Sequence, residues 1–177
     1  MDPEKKVNGI SIVTSPYNQF ENPLYSNNKI IGTYVNSIMA LHDAIERGSD
    51  EALLLDSNEN ISEGSGENLF IVKDEELITP TPDNCLNGIT RQSIIKIAQD
   101  ENIDVIEKKL KYEDLVDADE AFFTGTAVEV TPISKVDETT IGDSMIGPIT
   151  KKLQKIFTDT VTNLSLIHIS EPTRHRY

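Results

Sequence analysis

The chain has 177 residues and a formal net charge of −14, from 30 acidic and 16 basic residues. This length allows one domain with a substantial core, and the surplus of acids repels phosphate backbones and anionic membranes. We therefore expect neither nucleic acid nor a membrane as a partner. The single cysteine, Cys85, excludes an internal disulfide framework and fits a reducing compartment.

The first third of the chain predicts a strand, a long loop and a helix. Apolar and polar residues alternate over residues 7–14, as in a strand. A loop rich in Asn, Pro, Tyr and Ser follows over residues 15–28 and leads to Lys29. A helix is expected to begin near Thr33 and to end at Gly48. One side of this helix is apolar and carries Tyr34, Val35, Ile38, Leu41 and Ile45.

The remaining patterns predict hairpins and three further helical segments. Strands are expected at residues 51–56, 69–72, 77–80, 105–110 and 121–123, a hairpin at 132–141, and helical segments at 89–101, 112–116 and 147–161. Strands that alternate irregularly with helices, together with the hairpins, predict a mixed α/β domain rather than a purely parallel sheet.

The segment 62–68, Ser-Glu-Gly-Ser-Gly-Glu-Asn, combines two carboxylates and an amide with glycines, and an apolar strand follows it directly. A carboxylate beside such a strand lies at the rim of a core, where partial desolvation can direct Glu63 at a cationic partner. Taken alone, the segment also fits an acidic hairpin turn in water. Dinucleotide binding is excluded because the glycines do not form G-x-G-x-x-G before a helix.

Two small clusters later in the chain accompany this segment. Residues 86–91, Leu-Asn-Gly-Ile-Thr-Arg, open a helix, and residues 124–132, Thr-Gly-Thr-Ala-Val-Glu-Val-Thr-Pro, follow a buried strand. A helix start presents unpaired backbone N–H groups, here at Ile89 and Thr90, and these groups can bind a phosphate. Taken alone, the first cluster would only be a helix cap.

Together with Lys29 and Tyr34, these clusters resemble in order and spacing the large domain of fold type IV pyridoxal-phosphate enzymes, and most closely the branched-chain amino acid aminotransferases. The resemblance spans roughly residues 7–162. It implies a mixed α/β (α+β) fold with a mixed sheet or pseudo-barrel and packed helices. It also implies pyridoxal 5'-phosphate as cofactor, transamination of leucine, isoleucine or valine with 2-oxoglutarate, and a homodimer. A cytoplasmic location is expected separately, from the single cysteine and from an N-terminus that lacks the apolar core of a signal peptide.

Other functions on the same scaffold stay open. D-amino-acid aminotransferases and aminodeoxychorismate lyases share the fold, and a non-catalytic fragment would keep it without the chemistry. The segment 125–132, Gly-Thr-Ala-Val-Glu-Val-Thr-Pro, favours the branched-chain type.

The resemblance assigns a role to each motif residue. Lys29 matches the catalytic lysine, which binds the cofactor covalently and moves a proton. Glu63 matches the carboxylate that pairs with the pyridine nitrogen, and Tyr34 the hydroxyl that hydrogen-bonds the ring oxygen. The remaining cofactor contacts, to the ring and the phosphate, are Leu86, Gly88, Ile89, Thr90, Gly125 and Thr126. The backbone amides of Thr126 and Ala127 are expected to receive the substrate carboxylate.

Three residues near these motifs are expected to support the structure. Glu67 and Asn68 are expected to brace the glycine turn rather than touch substrate. Arg91 lies inside the first helical turns and is expected to form a structural ion pair.

The ends of the chain carry two further expectations. Fold type IV relatives have a smaller N-terminal domain, so we interpret residues 1–162 as the cofactor-binding large domain alone, with weak cofactor affinity and inefficient turnover. Residues 163–177 resemble translated adaptor or vector sequence and are interpreted as a non-native tail. Two of the three histidines, His168 and His175, lie in this tail, and no histidine spacing predicts a metal site.

Overall fold

The computed structural model describes residues 3–20 and 28–162, and the proposed tail at 163–177 lies outside them. In chain order the elements are α1 (Pro3–Asn8), β1 (Ile10–Thr14), α2 (Tyr34–Glu46), β2 (Glu51–Leu55), β3 (Ile61–Gly64), β4 (Asn68–Lys73), β5 (Glu76–Thr79), α3 (Ile89–Asp100), β6 (Val105–Glu107), α4 (Tyr112–Val116), β7 (Glu120–Gly125), β8 (Glu129–Val136), β9 (Thr139–Thr140) and α5 (Pro148–Thr162). A 3-10 turn, Ile31–Thr33, precedes α2.

The strands form one mixed sheet in the order β3-β2-β1-β8-β7-β4-β5-β6, with β9 paired to β8. β1 runs parallel to both β2 and β8, and β5 runs parallel to β6, whereas the other pairs are antiparallel. Just beyond β6, Leu110 forms a bridge with Ile61 at the start of β3, and the Ile61 N–H donates to the Leu110 carbonyl at 2.7 Å. The two ends of the sheet therefore meet, and the predicted mixed α/β fold with a curled sheet is confirmed.

Strand β4 shows how the core is divided between the two faces of the sheet. Leu69 and Ile71 belong to one buried cluster, whereas Phe70 and Val72 belong to a second cluster with residues of α3 and α5. Phe70 stacks on Phe122 of β7 with ring centroids 5.1 Å apart. Because successive side chains of a strand point to opposite faces, a strand buried on both faces is apolar throughout.

The start of the chain differs from the sequence prediction. The strand expected over residues 7–14 begins only at Ile10, because residues up to Asn8 belong to helix α1. Gly9 ends that helix with φ +79° and donates its N–H to the Lys5 carbonyl at 3.0 Å. A left-handed residue after a short helix is the usual role of glycine.

Helix α2 packs against the sheet through its small residues rather than its large ones. Ala40 and Ala44 are fully buried, in a cluster that includes Val13, Ala52 and Leu54. The large apolar side chains point outward: the exposed fractions of Val35, Ile38 and Ile45 are 62%, 63% and 59%. The apolar side seen in the sequence is thus largely a surface feature.

Among the described helices, none combines the length and the apolar character that crossing a bilayer requires.

Candidate active site

Two adjoining cavities collect nine of the ten site residues predicted from the sequence. One cavity is lined by Lys29, Tyr34, Glu63 and Leu86, together with other residues. The second shares Lys29 and Leu86 with the first. Its further predicted residues are Gly88, Ile89, Thr90, Gly125 and Thr126. The tenth residue, Ala127, is exposed and lines neither cavity.

The sheet brings these residues together at one edge. Glu63 lies near the end of β3, and Asn68 begins β4 opposite Thr124 of β7. The β7–β8 turn, with Gly125 paired to Glu129, lies at the same edge. The N-termini of α2 and α3 add residues from two helices. Residues distant in sequence therefore face one cleft.

The Glu63 carboxylate is held by neutral donors. Its Oε2 accepts a hydrogen bond from the backbone N–H of Leu86 at 3.0 Å and from Nδ2 of Asn68 at 3.3 Å. Its Oε1 accepts one from Nε2 of Gln19. Burial raises the pKa of Glu63 from 4.5 to about 7, against the hydrogen bonds from Leu86 and Gln19, which lower it. Among the described residues no lysine or arginine pairs with Glu63, so a cationic ligand would stabilise its charged form.

Asn68 links the Glu63 strand to the segment before α3. Its side chain is buried, and Nδ2 donates to the Leu86 carbonyl at 2.7 Å as well as to Glu63. A Cβ on Gly88 would lie 2.5 Å from Oδ1 of Asn68. Glycine at this position is therefore required by the close approach of the amide, and Asn68 has the bracing position expected from the sequence.

The turn after β3 is closed by a pair of carboxyl groups. Glu67 Oε2 accepts from the Gly66 N–H at 3.1 Å, and Glu51 Oε1 accepts from the Ser65 N–H at 3.1 Å. Burial, and then the neighbouring charge of Glu51, raise the pKa of Glu67 to about 8. A Cβ on Gly64 would lie 2.9 Å from Oε2 of Glu67, so glycine makes room for this carboxyl.

The second cavity lies at the start of helix α3. Gly88 is the N-cap residue, in an extended conformation, and the helix begins at Ile89. The first backbone N–H groups of a helix have no intrahelical partner, and together with the helix dipole they favour an anion. Thr90 is buried at this helix start, whereas Thr126 across the cavity is exposed.

Arg91 forms the structural contacts expected from the sequence. Its guanidinium is almost fully buried and donates to the Pro80 carbonyl at 2.8 Å and to the Glu107 carboxylate at 2.5 Å. A further hydrogen bond runs to Asn87 Oδ1 at 3.0 Å. Arg91 thus ties α3 to β6 and is absent from the lining of both cavities.

Sequence reasoning missed two residues of this region. Gln19 lies in the loop before Lys29, where nothing in the sequence pattern marks it. Glu51 was placed in a predicted buried strand. A charged residue at the start of such a strand could have indicated that its carboxylate has a specific partner. Within residues 3–20 and 28–162, no cluster of His, Cys, Asp and Glu side chains is arranged to hold a metal ion.

Comparison with known proteins assigns the chain to a family. The model of the amino-transferase class IV family matches residues 1–136. The branched-chain-amino-acid aminotransferase of Pseudomonas aeruginosa is 44% identical over 169 residues, which cover 95% of this chain and 55% of that protein. The chain belongs to the class IV aminotransferase family. The family predicted from the motifs is thereby confirmed.

Solved structures of class IV aminotransferases share the fold. A branched-chain amino acid aminotransferase in complex with N-(5'-phosphopyridoxyl)-L-glutamate gives a TM-score of 0.87 at 39% identity, covering 91% of this chain and 55% of that chain. The enzyme from Escherichia coli gives a TM-score of 0.85 at 38% identity, covering 96% and 56%. The chain spans about half the length of the curated relatives it matches.

Proposed function

We propose that the chain is the cofactor-binding part of an aminotransferase that uses pyridoxal 5'-phosphate to exchange amino groups between branched-chain amino acids and 2-oxoglutarate. The observation that carries this proposal is the convergence of Lys29, Tyr34, Glu63 and Leu86 on one cavity, beside a second cavity at the start of α3. The names of the relatives support the substrate class.

The residues of the two cavities fit the cofactor by chemistry. Glu63 is a desolvated carboxylate without a cationic partner among the described residues, which suits a protonated ring nitrogen. The first turn of α3, at Ile89 and Thr90, supplies N–H donors for a phosphate, and Thr126 lies on the same cavity. Leu86 lines both cavities and can cover one face of a flat ring.

When bound, pyridoxal phosphate supplies an electron sink that stabilises negative charge at the substrate α-carbon. Glu63 would keep the ring nitrogen protonated, because an adjacent anion favours the cationic form. Lys29 would hold the cofactor through its amine and, when free, would carry the proton from the substrate α-carbon to the cofactor's aldehyde carbon. The Tyr34 hydroxyl would donate to the ring oxygen. The backbone amides of Thr126 and Ala127 receive the substrate carboxylate.

Cofactor binding tests the site directly. Adding pyridoxal 5'-phosphate to the purified chain is expected to produce a visible absorption band, and borohydride reduction is expected to leave the cofactor attached to Lys29, as located by mass spectrometry. Lys29→Ala should abolish both signals. Lys151→Ala, an exposed lysine of α5 outside both cavities, is the control and should keep them. A chain that gives neither signal would overturn the proposal.

Substrate preference is tested with the loaded protein. Conversion of leucine that depends on 2-oxoglutarate supports the branched-chain assignment. Conversion of D-alanine, or release of pyruvate from aminodeoxychorismate, would replace it with one of the two other activities of the fold. Absence of the Lys29 attachment would favour the non-catalytic alternative.

We also propose that the protein acts as a homodimer. The resemblance to fold type IV enzymes supports this, as does the exposed apolar side of α2, since surfaces of that kind often form protein contacts. Light scattering is expected to give the mass of two chains. A monomer at all concentrations would overturn this part of the proposal.

A further inference from the structure

Gln19 is a loop residue whose side chain donates a hydrogen bond to the Glu63 carboxylate. It lines the first cavity, and its Nε2 donates to Oε1 of Glu63. Its backbone is anchored, because the Gln19 N–H donates to the Leu55 carbonyl of β2 at 2.8 Å. The preceding residue is also held, since Nδ2 of Asn36 in α2 donates to the Asn18 carbonyl at 3.0 Å. The amide is therefore presented to Glu63 from a fixed backbone.

The two oxygens of Glu63 are held in different ways. Oε2 accepts hydrogen bonds from the Leu86 N–H and from the Asn68 side-chain amide, whereas Oε1 accepts one from Gln19. Removing the Gln19 amide would leave Oε1 without this donor and free the carboxylate to rotate. Gln19 thus fixes the oxygen that the backbone and Asn68 do not hold.

The neutral character of Gln19 matters for the charge balance of the site. An amide N–H stabilises a carboxylate by hydrogen bonding but adds no positive charge. A lysine or arginine at the same place would neutralise Glu63 and compete with a cationic ligand. An amide favours the anionic form of Glu63 and leaves its charge available.

We propose that Gln19 is a positioning residue for the cofactor: it holds Oε1 of Glu63 in the orientation that receives the protonated ring nitrogen. This inference rests on the proposed function for the identity of the ligand. The contact between Gln19 and Glu63 itself belongs to the free protein and can be tested there.

Two variants separate positioning from a general structural role. Gln19→Met keeps the length of the side chain and removes its donors, so the pKa of Glu63 should rise. Gln19→Lys places a charged donor at the same oxygen, so the pKa of Glu63 should fall. The rise in Gln19→Met carries the test, because a residue without a role in holding the carboxylate would leave this pKa unchanged. Gln19→Lys shows in addition that a side chain at this position reaches Glu63. The readout is a carbon-13 NMR titration of the Glu63 carboxyl in the free protein, with the signal assigned through Glu63→Gln.

Cofactor affinity provides the second readout. Gln19→Met should raise the dissociation constant of pyridoxal 5'-phosphate about tenfold, the weakening expected when one hydrogen bond to a charged group is lost. Gln19→Lys should also raise it, because the new cation competes for Glu63. Asn18→Leu is the matched control: the neighbouring side chain is exposed, and its Asn36 contact uses the backbone carbonyl, so neither readout should change.

The outcomes distinguish the two proposals. If the wild-type protein binds no cofactor, the proposed function fails, and the Glu63 titration still decides whether Gln19 holds that carboxylate. If Gln19→Met leaves the Glu63 titration unchanged, or makes cofactor binding tighter, the positioning role is wrong. If Gln19→Met fails to fold, as seen by circular dichroism, Gln19→Leu, which also lacks donors, carries the test through the same rise in the pKa of Glu63.

Discussion

Single contacts at the site depend on glycines that leave room for side-chain amides and carboxyls. Gly88 is the sharpest case, since an added methyl group would lie 2.5 Å from Oδ1 of Asn68. That amide is buried and bonded to both Glu63 and Leu86, so it cannot move aside without losing partners. The position of the Gly88 backbone and that of the Asn68 side chain therefore depend on each other.

Gly88→Ala is therefore expected to lower the free energy of unfolding by about 1–3 kcal/mol, because it displaces a buried amide from its hydrogen bonds. Urea denaturation measures the change. Gly66→Ala is the control, since a Cβ there meets nothing within 4 Å. Combining Gly88→Ala with Asn68→Ala should cost less than the sum of the two single changes. Full additivity would show that the Asn68 contact is not the cause.

At this scale the sequence predicted the chemical groups but not all of their partners. Glu63 and Lys29 were identified from motifs, and both line the same cavity. The partner Gln19 is 44 residues away from Glu63 along the chain, and no local pattern encodes so distant a pairing. Glu51 likewise meets the glycine turn only because β2 and β3 pair.

Elements were predicted best where burial on both faces leaves a continuous apolar run. Strand β4 is of this type, and its position was predicted to within a residue or two. Strand β3 was read as part of a turn, because Ser62 and Glu63 are polar, although the main chain there is extended and paired to β2. Polar residues needed by the site interrupt the pattern that would mark the strand.

Helix α2 shows that an apolar pattern does not by itself identify the packed side. We expect Ala44→Leu to lower the free energy of unfolding by about 1–3 kcal/mol, because Ala44 is fully buried against the sheet and a larger side chain overpacks that contact. In the monomeric chain, at a protein concentration too low for dimers, Ile38→Lys should change it by no more than about 0.5 kcal/mol, because Ile38 is mostly exposed there. Urea unfolding followed by circular dichroism compares the two. If Ile38→Lys lowered the free energy of unfolding more than Ala44→Leu, the large residues of α2 would be the ones packed against the core.

For the whole molecule, the buried acids predict how stability depends on pH. Glu63 and Glu67 have pKa values raised from 4.5 to about 7 and about 8. The folded protein therefore holds protons that the unfolded chain releases, so this stabilisation is complete below 4.5 and is lost as pH rises through 7 and 8. For Asp50, burial raises the pKa, but hydrogen bonds from Lys5 and Ser11 outweigh it and lower the pKa below 3.8. Asp50 therefore contributes stability that is present above its unfolded pKa and is lost as the pH falls through its lowered folded pKa.

The urea midpoint is accordingly expected to fall between about pH 5 and about pH 8.5 at constant ionic strength. Glu67→Gln should flatten this fall, since the amide has no proton to release. Glu138→Gln, a nearly fully exposed acid, is the control and should leave the slope unchanged. A midpoint that rises over this range in the wild-type protein would contradict the raised pKa values.

The residues that close the sheet could not be identified from the sequence, because Ile61 and Leu110 are ordinary apolar residues in separate segments. Their bridge brings the outermost strands, β3 and β6, toward each other. An edge strand has unpaired N–H and C=O groups, which can pair with strands of other molecules and lead to aggregation. At this bridge the Ile61 N–H and the Leu110 carbonyl are paired within the chain, so this hydrogen bond is not available to recruit a neighbouring molecule into intermolecular β-structure.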